Sequence, residues 1–269
     1  MSDDLSAVEP RRDPDGFRTH HGLTYAEPLG FRPLLLDLHH PGGPAPVPLV
    51  VWLHGGGFQS GDRRYPPRTV PPGLLWRALT RAGLAVATID YRLSGEARFP
   101  AQLDDIAAAL AFLRRNAGQL GLDAGRIGTW GESAGGALAA LAAFADPGVR
   151  AAALWYPVTD MLARHPHDAD SSEGRLLGGV PSELPGLAAR ASAVAQVPAE
   201  PPAVLLQHGA ADTVAPPEHS ERLHEALLAA GGRTELELVP GAEHIWAGAE
   251  PRVPELVDRA VAFLARELV

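Results

Sequence analysis

Gly131-Glu132-Ser133-Ala134-Gly135 follows the apolar run Ile127-Gly128-Thr129-Trp130 and opens an Ala/Leu-rich segment over residues 136–144, so it reads as strand, sharp turn and helix. A serine at the tip of such a turn can act as a nucleophile. Small residues two positions to either side let strand and helix approach closely. The G-x-S-x-G spacing also occurs in purely structural turns, so its weight comes from its company. His54-Gly55-Gly56-Gly57-Phe58 lies upstream after another apolar run, and an Asp after His208-Gly209 and a His after Pro240-Gly241 lie downstream.

Outward from that turn the chain alternates short β-like runs with helical patterns. Strands are expected at residues 34–38, 49–53, 84–89, 127–130, 151–155, 204–207 and 234–239. Leu103, Ile106, Ala107, Leu110 and Leu113 recur at helical spacing after Phe99-Pro100, residues 220–230 repeat the pattern behind Pro216-Pro217, and residues 254–268 close with a third amphipathic helix. This rhythm predicts an α/β fold with a mostly parallel central sheet flanked by helices. Residues 1–18 are polar, carry both signs of charge and read as a flexible arm, leaving 19–269 as a single domain. From 157 to 202 Pro, Gly, Ser and Ala dominate, and an excursion of that length between strands predicts a lid over the strand C-termini.

Composition narrows the chemistry. The 269 residues, 46% hydrophobic and 20% charged, can bury a sizeable core in one domain. A net charge of −9 argues against nucleic acid or an anionic membrane surface as the main partner. Cysteine is absent, which removes disulfides, thiolate metal sites and a thiol nucleophile; all 23 basic residues are Arg, which removes Schiff-base lysines and Ser-Lys dyads. The nucleophile is therefore an oxygen and histidine its natural base. The N-terminal residues lack the basic and apolar regions of a leader, and no stretch approaches the ~18 apolar residues of a spanning helix, so a cytoplasmic chain is expected.

Acyl transfer by serine needs a base, an acid that holds the imidazole, and donors for the oxyanion. His244, in a loop after an apolar strand, supplies the base. Asp212, in the loop after the strand that ends at His208-Gly209, supplies the acid. Backbone N–H groups of Gly56, Gly57 and Ala134 are the expected oxyanion donors, the last at a helix N-terminus.

Taken together, these motifs with Asp90-Tyr91-Arg92, Phe99-Pro100-Ala101 and Leu176-Leu177-Gly178-Gly179 resemble the α/β-hydrolase superfamily. Within it the match is to carboxylesterases of the hormone-sensitive-lipase-like type and of the bacterial feruloyl and acetyl-xylan esterase-like group. The resemblance covers Tyr25 to the C-terminus. It implies the α/β-hydrolase fold with a short lid, Ser133 as nucleophile, His244 as base, Asp212 as acid, a small-molecule ester as substrate and no cofactor. Glu132, where hormone-sensitive-lipase-like enzymes usually carry Asp, and the short N-terminal arm favour the bacterial short-lid group. Peptidases, amidases and acyltransferases of the same fold share this catalytic set and stay open as alternatives, with a non-catalytic binding protein on the same scaffold, which would typically lack a triad member, ranked below them.

Other side chains are read as structural first. His54 shapes the glycine loop, His208 satisfies loop backbone, and Asp90 and Arg92 fix the turn after their strand through an ion pair or loop hydrogen bonds. His165-Pro166-His167-Asp168-Ala169-Asp170 carries metal-ligating types, but with no partner cluster it reads as a solvated loop, and no metal is expected. Of the candidate pocket walls Phe58, Trp76, Met161, Leu162, Ile245 and Trp246, only Phe58 and Ile245 adjoin catalytic loops and are expected to contact substrate.

Overall fold

The seven apolar runs pair into one sheet in the protein's structure, a computed structural model that describes residues 10–12, 16–43 and 46–269. Among the described residues the strands are β1 (Arg11–Arg12), β2 (Arg18–Ala26), β3 (Leu34–His40), β4 (Val47–Leu53), β5 (Ala85–Ile89), β6 (Leu122–Glu132), β7 (Val149–Trp155), β8 (Ala203–Gly209) and β9 (Thr234–Val239). They lie in the order β1-β2-β3-β5-β4-β6-β7-β8-β9. Pairing is antiparallel from β1 through β3 to β5 and parallel from β5 onward.

The helices are α1 (Leu74–Arg81), α2 (Ala101–Arg115), α3 (Ala117–Leu120), α4 (Ala134–Ala145), α5 (Ser172–Leu177), α6 (Pro185–Ala191), α7 (Glu218–Ala229) and α8 (Val253–Leu268). Apolar side chains of α2, α4 and α7 pack on one face of the sheet, and those of α1 and α8 on the other. The core strands are buried on both faces, which is why they read as continuous apolar runs rather than alternating ones. Helix α4 is buried nearly all round, residues 134–143 included, and its Ala-rich composition lets it sit close against β6 and β7. Helix α5 starts where Ser171 Oγ accepts from Gly174 N at 2.9 Å.

β2 and the N-terminal arm depart from the sequence expectation. β2, with its Arg, Thr and His residues, carries no apolar run, yet it pairs with β3 along nearly its whole length. Of the arm expected over 1–18, residues 1–9 and 13–15 lie outside the described residues, while Arg11 and Arg12 pair with Thr19 and Arg18. No helix among the described residues is long and apolar enough to cross a membrane.

Parallel register decides where the site falls. Leu53 is level with Gly131, Glu132 with Trp155, Trp155 with Gln207 and Gly209 with Val239. The loops after β4, β6, β8 and β9 therefore leave the same edge of the sheet. Chain order reverses between β4 and β6, and such a switch point opens a crevice at the strand C-termini.

Candidate active site

Ser133 stands between β6 and α4 with φ 52° and ψ −120°, a backbone conformation that non-glycine residues adopt only when their surroundings force it. The flanking glycines supply that force. A Cβ on Gly135 would lie 2.2 Å from Leu53 O and 2.3 Å from His54 O, and one on Gly131 would lie 2.2 Å from Gly135 O. The elbow therefore presses against the loop after β4, and Ser133 N donates to Trp155 O at 2.9 Å on the other side.

Three side chains meet here. His244 Nε2 lies 3.0 Å from Ser133 Oγ, and His244 Nδ1 lies 2.6 Å from Asp212 Oδ2. Asp212 is buried, and burial by itself would raise its carboxyl. Hydrogen bonds from His208 and His244 and from the Ala215 amide overcome that and hold it well below the usual carboxylate range. Its other oxygen accepts from Val214 N at 2.9 Å and Ala215 N at 2.8 Å. An ionised Asp212 can only accept, so Nδ1 of His244 donates and its Nε2 lone pair faces the serine hydroxyl.

The acid and base loops are fastened to each other, with Ala210 N donating to Val239 O and Ala211 N to Ala242 O, both at 2.9 Å. His208 is wholly buried, with Nδ1 2.7 Å from Ser220 Oγ and Nε2 2.7 Å from Ala215 O, and it braces the Asp212 turn. Thr69 donates to the carbonyl of Ile245 from the opposite side of the His244 turn.

Gly56, Gly57 and Ala134 line one cavity of about 300 Å³ together with Ser133 and His244. The glycine loop is held from two directions. Gly55 N donates to Glu132 Oε1 at 2.7 Å, and Tyr91 Oη donates to His54 O at 2.8 Å while its ring stacks on the His54 imidazole at 4.3 Å. Burial lowers the His54 imidazole below its ordinary value, and its Nδ1 lies 2.8 Å from Gly55 O, which fits a neutral ring that shapes the loop. Burial raises the Glu132 carboxyl above its ordinary value against the opposing pull of Gly55 N, His244 and Tyr156. Glu132 is thus more than a spacer within the elbow motif: it ties the elbow to the glycine loop.

Phe58 and Ile245 line the same cavity, whereas Trp76, Met161, Leu162 and Trp246 do not. Glu132 of the elbow lines it too, and Val158, Arg164, Ser172 and Val214 complete the walls. The sequence reading missed all four, because the β7–β8 excursion and the Asp212 turn fold inward through tertiary contacts that no local pattern reports. Asp90 and Arg92 do not pair with each other: Asp90 binds Arg63 at 2.7 Å and Arg92 binds Asp105 at 2.7 Å. In the 165–170 loop, His167 Nδ1 lies 2.9 Å from Ser182 Oγ and Asp168 accepts from Asp170 N, and no group of metal-ligating residues forms among the described residues.

The five tryptophans of the chain form a connected array beneath this site. Trp76, Trp52, Trp130, Trp155 and Trp246 meet edge to face, with centroids 5.0 to 5.7 Å apart along the row. Tyr156 joins Trp246 at 4.9 Å to His244 at 4.8 Å. A rigid aromatic wall thus backs the imidazole.

Comparison with known proteins follows the same lines. The BD-FAE family model matches residues 36–227. Esterase LipQ of Mycobacterium tuberculosis is 30% identical over 253 residues, covering 87% of this chain and 59% of LipQ. The ethyl acetate hydrolase of Pseudomonas putida is 35% identical over 136 residues, 48% of this chain and 41% of that protein. The chain spans about half the length of the curated relatives it matches. Among solved structures, a bifunctional GH43-CE protein of Bacteroides eggerthii is 29% identical with a TM-score of 0.80, over 93% of this chain and 38% of that one. A truncated carbohydrate esterase from gut microbiota shares the fold at a TM-score of 0.78, with 24% identity over 93% and 99% of the two chains.

Proposed function

The chain belongs to the BD-FAE family and has the α/β-hydrolase fold, and from that premise we propose that it is a serine carboxylesterase acting on short-chain esters. The observation that carries this reading is the hydrogen-bonded row Ser133, His244, Asp212, at 3.0 and 2.6 Å, opening into a cavity that Gly56, Gly57 and Ala134 also line.

Ser133 Oγ attacks the ester carbonyl as His244 Nε2 takes its proton, and Asp212 stabilises the imidazolium. The N–H groups of Gly56, Gly57 and Ala134 receive the oxyanion, the last aided by the α4 dipole. His244 returns the proton to the departing alkoxide, leaving an acyl-enzyme, and then activates water to release the acid. Phe58, Val158, Val214 and Ile245 give the cavity apolar walls for a small acyl group, and residues 157–202 act as the lid. About 300 Å³ lies at the small end of ligand sites, which supports acetyl to butyryl chains over long ones.

The test is hydrolysis of 4-nitrophenyl esters of increasing acyl length by the purified protein and its Ser133→Ala variant. Turnover should fall as the chain lengthens and vanish in the variant, whose circular dichroism should match the parent. Ester hydrolysis retained by Ser133→Ala would remove the serine from the reaction.

A further inference from the structure

A second hollow of about 540 Å³ lies beside the reaction cavity. The two share a wall. Phe58 lines the first, and its carbonyl accepts from the amide of Ser94, which lines the second, at 2.7 Å. Ser172 and Gly174, two positions apart on α5, line the first and second hollows respectively.

Their chemistry differs. The reaction cavity has apolar walls apart from Glu132, Arg164 and Ser172, and its Arg164 already pairs with Glu173 and donates to Val214 O, whereas the second hollow offers Gln59, Ser94, Arg98 and Arg175, with only glycines and Ala169 between them and Asp170. The Arg98 side chain makes no ion pair or hydrogen bond among the described residues. Its stem lies across Gly178, so closely that a Cβ there would come within 2.3 Å of Arg98 Cδ, which places the guanidinium at the hollow and leaves its donors unused. Ser94 Oγ is buried and has no partner. Arg175 is partly neutralised: its Nη2 lies 3.8 Å from Asp170 Oδ1, and that carboxylate is 91% exposed. On a chain of net charge −9, this is a local site for an anion, bearing one free positive charge and a second that is half compensated.

We propose that this hollow is a second substrate subsite that takes a carboxylate carried by the ester, bound by the Arg98 guanidinium with Ser94 and Gln59 as further donors. The proposal rests on the esterase reading and specifies its substrate class: esters that bear a negative charge away from the scissile bond. The charge count favours a monoanion over a doubly charged phosphate, and the planar guanidinium matches the two oxygens of a carboxylate. A buried hydroxyl without an acceptor is costly, and a carboxylate at this position would satisfy it.

The test compares three esters on the parent, Arg98→Gln and Arg98→Glu: 4-nitrophenyl acetate, which is neutral, 4-acetoxybenzoate, with its charge on the leaving half, and mono-4-nitrophenyl succinate, with its charge on the acyl half. For each protein the kcat/KM of an anionic ester is divided by that of the neutral one, so that differences in intrinsic reactivity cancel between proteins. In Arg98→Gln this ratio should fall roughly tenfold for one of the anionic esters, mainly through KM, as expected for one lost charge-assisted hydrogen bond. Arg98→Glu should lower it further, and added salt should narrow the gap between parent and variants. Whichever anionic ester responds identifies the half of the substrate that reaches the hollow. Ratios that stay within about twofold of the parent for both anionic esters in both variants would refute the subsite while leaving the esterase reading intact. A parent that hydrolyses none of the three would refute both.

Discussion

Asp212, which holds the His244 imidazole, and Glu132, which ties the elbow to the glycine loop, are buried carboxyls whose environments push them in opposite directions. The hydrogen bonds of Asp212 overcome its burial and hold it ionised, so its contribution to stability is present above its ordinary value and is lost only as pH falls through its lowered one. Asp212→Asn should therefore give up that contribution at neutral pH and, where it is folded, lose about 10⁴ in kcat, because an amide no longer enforces the Nδ1–H tautomer. Near-parental kcat on 4-nitrophenyl acetate would mean that another group orients His244. For Glu132 the sign reverses. Its folded value is raised, so ionising it becomes costly as pH climbs above the ordinary carboxyl range, and the native state loses stability relative to an uncharged side chain. Glu132→Gln keeps an acceptor for Gly55 N, so in urea unfolding it should gain on the parent as pH climbs above the ordinary carboxyl range. A difference that does not change with pH would show that the Glu132 carboxyl is not perturbed by burial. At this scale the site was legible to the extent that chemistry sits in short motifs. Ser133, Asp212 and His244 each follow a strand at fixed spacing from a glycine, whereas Arg164 and Ser172 reach the cavity only through the folding of the β7–β8 excursion.

The elbow is an element whose two glycines have no substitute. A Cβ at Gly135 would overlap carbonyl oxygens of the loop after β4, and neither strand nor helix can retreat without unseating the other. Gly135→Ala should cost more than about 2 kcal/mol in urea unfolding, within the range for overpacked cores, and should lower kcat as the glycine loop is displaced. A well-folded, fully active Gly135→Ala protein would contradict the close approach. Gly186, on α6, has nothing within 4 Å of where its Cβ would stand, so Gly186→Ala should stabilise by about 0.5–1 kcal/mol. The elements themselves were legible where burial wrote a pattern. The two-faced burial of β3 to β8 leaves apolar runs, and α2, α7 and α8 leave helical spacing. β2 left no such signal because it is half exposed and polar and owes its place to backbone pairing with β3. α5 and α6 are too short, at six and seven residues, for periodicity to register.

At the scale of the whole molecule, a cation reinforces the β3–β5 pairing that joins the antiparallel edge to the parallel body of the sheet. Arg63, in the segment that leaves the glycine loop, donates through Nε to Asp37 on β3 at 2.8 Å and through Nη1 to Asp90 beyond β5 at 2.7 Å, with its side chain only 11% exposed. Asp37 also accepts from Gly22 N on β2 at 2.8 Å, so four segments meet at this one guanidinium. Desolvation raises the Asp37 carboxyl, but the hydrogen bonds and charge of Arg63, with Gly22 N and His21, bring it below its ordinary value. Its contribution is thus present above that value and lost as pH falls through the lowered one. Replacing Arg63 by Met keeps most of the stem volume but leaves two buried carboxylates facing each other, and removing one partner of such a network costs about 3–5 kcal/mol. Arg63→Met should therefore unfold at markedly lower urea at pH 7. The deficit should shrink at acid pH below the ordinary carboxyl range, where Asp37 of the parent protonates through its lowered value and the parent loses what Arg63 contributed. Because the same segment carries Gly55 to Gly57, kcat should fall in the variant under conditions where it remains folded. A deficit below about 1 kcal/mol, or one equal at both pH values, would mean that the network is solvated and that the glycine loop is anchored by Glu132 and Tyr91 without it.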